Sequence, residues 1–319
     1  MRREMLDAVA DERARAFDGF LTAELEPWLA VKEGERAKIA QRSYILAGAA
    51  ILFAIAMALA LSTSTEIQFA LFAGGFIGIA GTGLALWPLS SWGKTFKADL
   101  FSRIFRWFGY EYSPDAPVTL MEPLRRCGIL PGYDKRHLED HVWGEIDRAR
   151  FELADCKLVE EHRDSKGRTS ETTVFHGLIG YFTFAKPFQG RTVLHTDHGT
   201  IFNALGGMGR DGERVVLEDP KFENVFEVYS TDQVEARYLL TPAFMERLLA
   251  MRDRLGGRMQ AAFLDEKLYL SVHLGKDHFR NPSVFTRVDD PQKVERLVAP
   301  ILFIASAVRI LKLNQETRV

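Results

Sequence analysis

The residues in this chain whose types and spacing could do chemistry are histidines set close to carboxylates. In HLEDH, His137 and His141 stand four residues apart with Glu139 between them. On a helix the two imidazoles would lie one turn apart on one face, the spacing zinc takes in metalloproteases. The glutamate does not fit that use. In HExxH it follows the first histidine directly, whereas Glu139 lies two residues on and about 200° around the helix, away from any water held by both imidazoles. An exposed, charged helix face is the reading favoured for this stretch.

In HTDH, His195, Asp197 and His198 leave a strand for a loop, and they would form a metal or acid/base site only if a further group came from elsewhere. Ordinary loop hydrogen bonding is the favoured reading, since Asp and His are common where strands end. His176 alternates with aliphatic neighbours and reads as a core histidine. Gly207, Gly209 and Gly212 match GxGxxG formally, and GGMGRD matches one calcium-binding nonapeptide. The first would have to open a helix, yet ERVVLED follows it as a strand; the second works only as stacked repeats and stands here once. No serine occupies a nucleophile elbow, and no GxxxxGK[ST] occurs. Cys127 and Cys156 show neither disulfide nor zinc spacing and read as reduced, buried residues. The expectation is therefore no catalytic residue, no cofactor and no metal, with His137, His141, His195 and His198 the candidates to weigh for a metal.

The elements around these residues are unequal in character. Of 319 residues, 41 are basic and 43 acidic, and no Lys/Arg stripe occurs, so nucleic acid is not expected as a partner. Residues 44–61, YILAGAAILFAIAMALAL, and 67–87, IQFALFAGGFIGIAGTGLALW, contain no charge. As helices they would run roughly 27 and 31 Å, matching a hydrocarbon core of about 30 Å. Neither carries the polar stripe of a buried core helix, so both read as transmembrane spans. Lys32, Arg36, Lys38 and Arg42 precede the first, Lys94, Lys97, Arg103 and Arg106 follow the second, and the connecting STSTE has no basic residue, so both ends are expected in the cytoplasm. The N-terminal MRREMLDAVADERARAF lacks the apolar core of a secretory signal, and its Arg2–Arg3 pair stands in no twin-arginine context. Ala50, Ala54 and Ala58 recur at four-residue spacing in the first span, as do Gly74, Gly78 and Thr82 in the second. Such rows let backbones approach, and packing of the hairpin on itself is favoured over homo-oligomer formation through the same faces. No ionisable group lies in either span, so an anchor rather than an ion path is expected.

Residues 1–42 read as a cytoplasmic amphipathic helical arm, 43–92 as the two-helix anchor, and 98–319 as a soluble cytoplasmic α+β domain. Within the last, a mostly helical stretch is expected to about Arg150. Strands follow at 151–163, 172–186, 191–196, 214–219 and 224–230, joined too tightly for crossover helices and so antiparallel. The long 172–186 strand is apolar on both faces and carries Gly177 and Gly180, which marks it as central and kinked. Ser230 with Gln233 suggests a cap for a helix at DQVEARYLL. Thr241-Pro242 opens AFMERLLAMRDRL, which Gly256-Gly257 ends. Two strands, MQAAFLD and KLYLSVHL, and a final helix over 291–313 complete the domain.

The stretches CGILPGYDKRHLEDHVWGEI, VFHGLIGYFTFAKPFQGRTV and LEDPKFENVFEVYSTDQVEARYLLTPAFMERLLAM resemble a bacterial family known as domain of unknown function 3137. The resemblance runs from the two spans to near the C-terminus and implies a membrane-anchored architecture; it implies no activity and no catalytic residue. The expectation for function is a cytoplasmic binding or scaffold module, anchored in the bacterial inner membrane and contacting the lipid bilayer and a protein or peptide partner. The alternative is a membrane-tethered hydrolase or metal-dependent enzyme using His195, Asp197 and His198.

Overall fold

The computed structural model describes residues 16–63, 67–146, 148–165, 167–183, 187–196, 212–275 and 283–290. They fall into two compact units, one built from the described residues up to Leu100 with 283–290, the other beginning at Phe101.

The first unit is built on a pair of long helices. Residues 16–20 and a π-helical turn, Leu21–Leu25, run without a break into α1, Glu26–Ser62, and α2 spans Ile67–Trp107. The helices meet along small side chains. A Cβ on Gly74 would lie 2.7 Å from Ala58 Cβ, one on Gly78 3.3 Å from Ala54 Cβ, and one on Gly81 2.9 Å from Ala50 Cβ. Removing those Cβ atoms is what lets the two backbones come together. The large apolar residues point outward instead: Leu52, Phe72 and Ile79 are 70%, 76% and 78% exposed. Beyond the apolar stretches, Phe96 of α2 stacks between Trp28 and Trp92, with ring centroids 5.7 and 4.9 Å away.

The second unit is an antiparallel sheet with short helices, an α+β fold. Among the described residues its nine strands lie in the order β1-β2-β3-β4-β9-β8-β5-β7-β6. They are β1 Glu111–Asp115, β2 Lys135–Ile146, β3 Ala149–Arg163, β4 Thr169–Thr183, β5 Thr192–Thr196, β6 Glu213–Val215, β7 Phe226–Ser230, β8 Arg258–Leu264 and β9 Lys267–His273. The helices are α3 Met121–Arg126, α4 Pro220–Glu223, α5 Gln233–Leu239 and α6 Pro242–Leu255. Both faces are apolar at the centre, as a run of alternating and non-alternating aliphatics requires. On one face Ala154, Cys156, Ile179 and Ala262 pack with Met121, Leu124 and Ile129 from α3 and its flanks. On the other, Phe263 is fully buried, its ring meeting Phe188 and Phe244 at 5.8 Å each. β4 is central, and its glycines answer close backbone approach: a Cβ on Gly177 would collide with the Val272 carbonyl, and one on Gly180 with that of Glu152.

Two expectations are corrected. The stretch 98–150 is not mostly helical; after the end of α2 and the short α3 it contributes β1, all of β2 and the start of β3. β2 carries a bulge that interrupts its period of two, and β1 contains Pro114, so neither shows the alternation by which a strand is read. The cap of α5 is Asp232, whose carboxylate accepts from the amides of Val234 and Glu235, while Ser230 ends β7. For α6, Thr241 accepts from Phe244 N–H, and Gly256 closes the helix in the left-handed conformation at φ 65°. The helix expected over 291–313 lies outside the described residues.

Candidate functional site

His137 and His141 sit on β2, not on a helix. Glu139 pairs with Asp155 and Val142 with Leu153, so Asp140 and His141 together face one residue, Ala154. This bulge, with Asp140 at φ 55°, sets the two imidazoles on opposite faces of the sheet. His137 is exposed opposite Lys157, and His141 is buried. They cannot hold one ion. Glu139 pairs with Asp115 across the β1 edge.

What the bulge assembles instead is a polar row across four strands. Trp143, Glu152, Tyr181 and Tyr269 pair in succession through β2, β3, β4 and β9. His141 stacks on Trp143 with centroids 4.5 Å apart, and its Nε2 lies 3.4 Å from Glu152 Oε2. The Tyr181 hydroxyl donates to Glu152 Oε1 at 2.6 Å, and Lys267 Nζ sits 4.1 Å above the Tyr181 ring. Burial pulls the His141 imidazole down from its ordinary range while Glu152 pushes it back up. Burial, and then the Glu152 carboxylate, raise the Tyr181 phenol; burial also takes the Tyr269 phenol up to about 12. The row therefore sets a phenolic hydroxyl, donating to a carboxyl oxygen, beside an imidazole, an arrangement able to bind a hydrogen-bonding partner.

On the opposite face the Tyr112 hydroxyl donates to Asp140 Oδ1 at 2.6 Å, with the Phe105 ring stacked on the Tyr112 ring at 5.6 Å. Sequence reasoning missed Tyr112, Asp140, Glu152, Tyr181 and Lys267. The one signal for them was a polar residue set on an otherwise apolar strand, Glu152 in FELAD and Tyr181 in IGYFTF.

His195 is 3% exposed on β5, opposite Glu227, and its Nδ1 lies 3.1 Å from Gln260 Oε1 on β8. The Tyr229 hydroxyl donates to Glu227 at 3.2 Å nearby. Asp197, His198, Gly207 and Gly209 lie outside the described residues. Among the described residues no three His, Cys, Asp or Glu side chains converge as a metal would require. Both thiols are buried, and burial raises Cys127 to about 11 and Cys156 to about 12, far from thiolate chemistry. In the hairpin, Ala54, Gly74 and Gly78 lie in the helix contact, and Thr82 is half-buried next to Gly81.

Residues 173–313 match the family described as Protein of unknown function (DUF3137). The match takes in two of the three stretches that carry the resemblance, from β4 through α6, and leaves out CGILPGYDKRHLEDHVWGEI. Among solved structures the chain is similar to the crystal structure of the mycobacterial trehalose monomycolate transport factor A, TtfA, at 10% identity and a TM-score of 0.30, covering 67% of this chain and 96% of that one. No curated protein matches.

Proposed function

We propose that this protein is a two-span protein of the bacterial inner membrane with both termini in the cytoplasm, and that its sheet unit is a non-catalytic binding or scaffold module for a protein or peptide. The observation that carries the anchor is exposure. Of the apolar windows in the two helices, only 11% and 17% are buried, whereas a core helix of a soluble protein would hide most of such a surface. Large side chains exposed on all sides make sense where the surrounding medium is hydrocarbon. Basic residues at the Lys38 and Lys94 ends and none in the connection support the orientation. In support of binding rather than catalysis, the polar row around Glu152 supplies donors and acceptors on a rigid sheet, yet contains no nucleophile activated by a base.

Topology reporters on the full chain test the anchor. A periplasm-dependent reporter inserted after Thr63 should be active and the same reporter at either terminus silent; the reverse pattern overturns the orientation. For the module, crosslinking in cells should yield discrete partners for the full chain that a hairpin-only control lacks. Identical profiles would remove the binding reading.

A further inference from the structure

The first unit contains a third element besides its helices, the segment 283–290. Val284 lies against Gly93 of α2 so closely that a Cβ there would collide with its side chain. Arg36 of α1 donates from Nη1 to the Val284 carbonyl at 3.1 Å, and the Val288 amide donates to Glu33 Oε2 at 3.0 Å. Glu33 and Arg36 are paired at 2.7 Å with side chains only 12% and 10% exposed, and the guanidinium holds the Glu33 carboxyl below its usual range. The segment is thus fastened at both ends to the helices, yet Phe285 between those ends is left 59% exposed.

We propose that this strap is a second membrane contact, seating Phe285 in the headgroup layer of the cytoplasmic leaflet, where anionic phospholipids meet Lys38, Arg42 and Lys94. The inference rests on the anchor reading above. Depth supports it: Gly93 lies six residues past Trp87, about 9 Å along the helix, and headgroups extend about 5–8 Å beyond the hydrocarbon, within reach of a phenyl side chain. Charge supports it as well. Lys38, Arg42 and Lys94 are exposed at the same end of the hairpin and form no ion pair among the described residues, whereas Lys32 is engaged by Glu35 at 2.9 Å. Exposed cations and an exposed aromatic ring at one end of the hairpin form the combination that favours an anionic bilayer surface.

The experiment uses the full chain, whose native thiols are buried and do not compete for label. Single cysteines at Phe285, at Leu52 in the first span and at His162 on the exposed end of β3 carry an environment-sensitive fluorophore. Proteoliposomes are made of phosphatidylcholine with or without phosphatidylglycerol. The label at 285 should be about threefold less open to aqueous iodide than that at 162 when phosphatidylglycerol is present, with the protection falling at high salt and in K38Q/K94Q. The Gly93→Val substitution, which displaces Val284, should abolish protection at 285 and leave that at 52 intact. A label at 285 as open as that at 162, while 52 is shielded, overturns the strap proposal alone. Equal protection at 285 in lipid-free detergent also overturns it, by showing a protein contact. An open label at 52 overturns the anchor reading itself.

Discussion

Phe72 in the hairpin is 76% exposed, whereas Phe263 in the sheet is fully buried between Phe188 and Phe244. The same side chain serves opposite purposes in the two regions. In the sheet the large apolar groups turn inward and the polar ones are paired across strands; in the hairpin the small groups turn inward and the large ones face out. On the proposed anchor reading the hairpin is surrounded by hydrocarbon, which offers no hydrophobic reward for bringing two helices together, so close backbone contact through glycine and alanine takes its place. In water the reward is burial itself, about 25 cal/mol per Å² of apolar area.

The contrast breaks most visibly under truncation. Phe263→Ala should destabilise the sheet by about 3–5 kcal/mol and lower its melting temperature by roughly 10 °C, while Phe72→Ala should leave the nanodisc-embedded protein within about 1 °C of wild type. Thermal unfolding of both variants in the same lipid checks this. Equal losses would mean that Phe72 packs on protein. Next in size is overpacking of the hairpin. Gly74→Leu, with Ala58 Cβ 2.7 Å away, should cost about 1–3 kcal/mol, while Gly75→Leu, with open space around it, should cost almost nothing. Helix-to-helix crosslinking yield between the spans reads the difference.

The polar row gives smaller effects. Tyr181→Phe removes the donor to Glu152 and should cost about 1 kcal/mol by chemical denaturation, less than Phe263→Ala, because water replaces part of the lost hydrogen bond. The smallest effect is on pH. Burial lowers His141 and His273 below the ordinary imidazole value of 6.5, so the unfolded chain takes up protons that the folded one refuses. This contribution is complete above pH 6.5 and is lost as pH falls from there toward the depressed values. Unfolding at pH 7 and at about 5.5 should show the drop, and His141→Gln should reduce it while leaving the part due to His273.

The hairpin was legible because its signal is local and long: 18 and 21 uncharged residues each exceed what any turn or core strand needs. The sheet from β3 onward was legible for a related reason, since β3, β4, β8 and β9 carry dense apolar runs bounded by turns such as 164–167, where Asp164 and Arg168 close the loop. β2 was not. Its extra residue shifts the alternation midway, and its polar face matched a helix as well as a strand. The α6 ends were readable at Thr241 and Gly256, while the α5 cap fell on Asp232 rather than Ser230 because β7 claims Ser230 for its pairing with Thr192.

For the candidate residues the division is sharper. Residue type and spacing alone established the two apolar stretches, their basic flanks and the absence of a recognisable catalytic signature, since each is a property of neighbours along the chain. Which histidines share a face, and that Glu152 meets Tyr181 and His141, depended on strand register. One bulged residue at Asp140–His141 moves every later side chain of β2 to the other face, and nothing in the local sequence marks where that shift occurs. The strap at 283–290 depended on the fold for the same reason, because its partners Arg36, Glu33 and Gly93 lie far earlier in the chain, with Arg36 248 and Glu33 255 residues before the groups they bind.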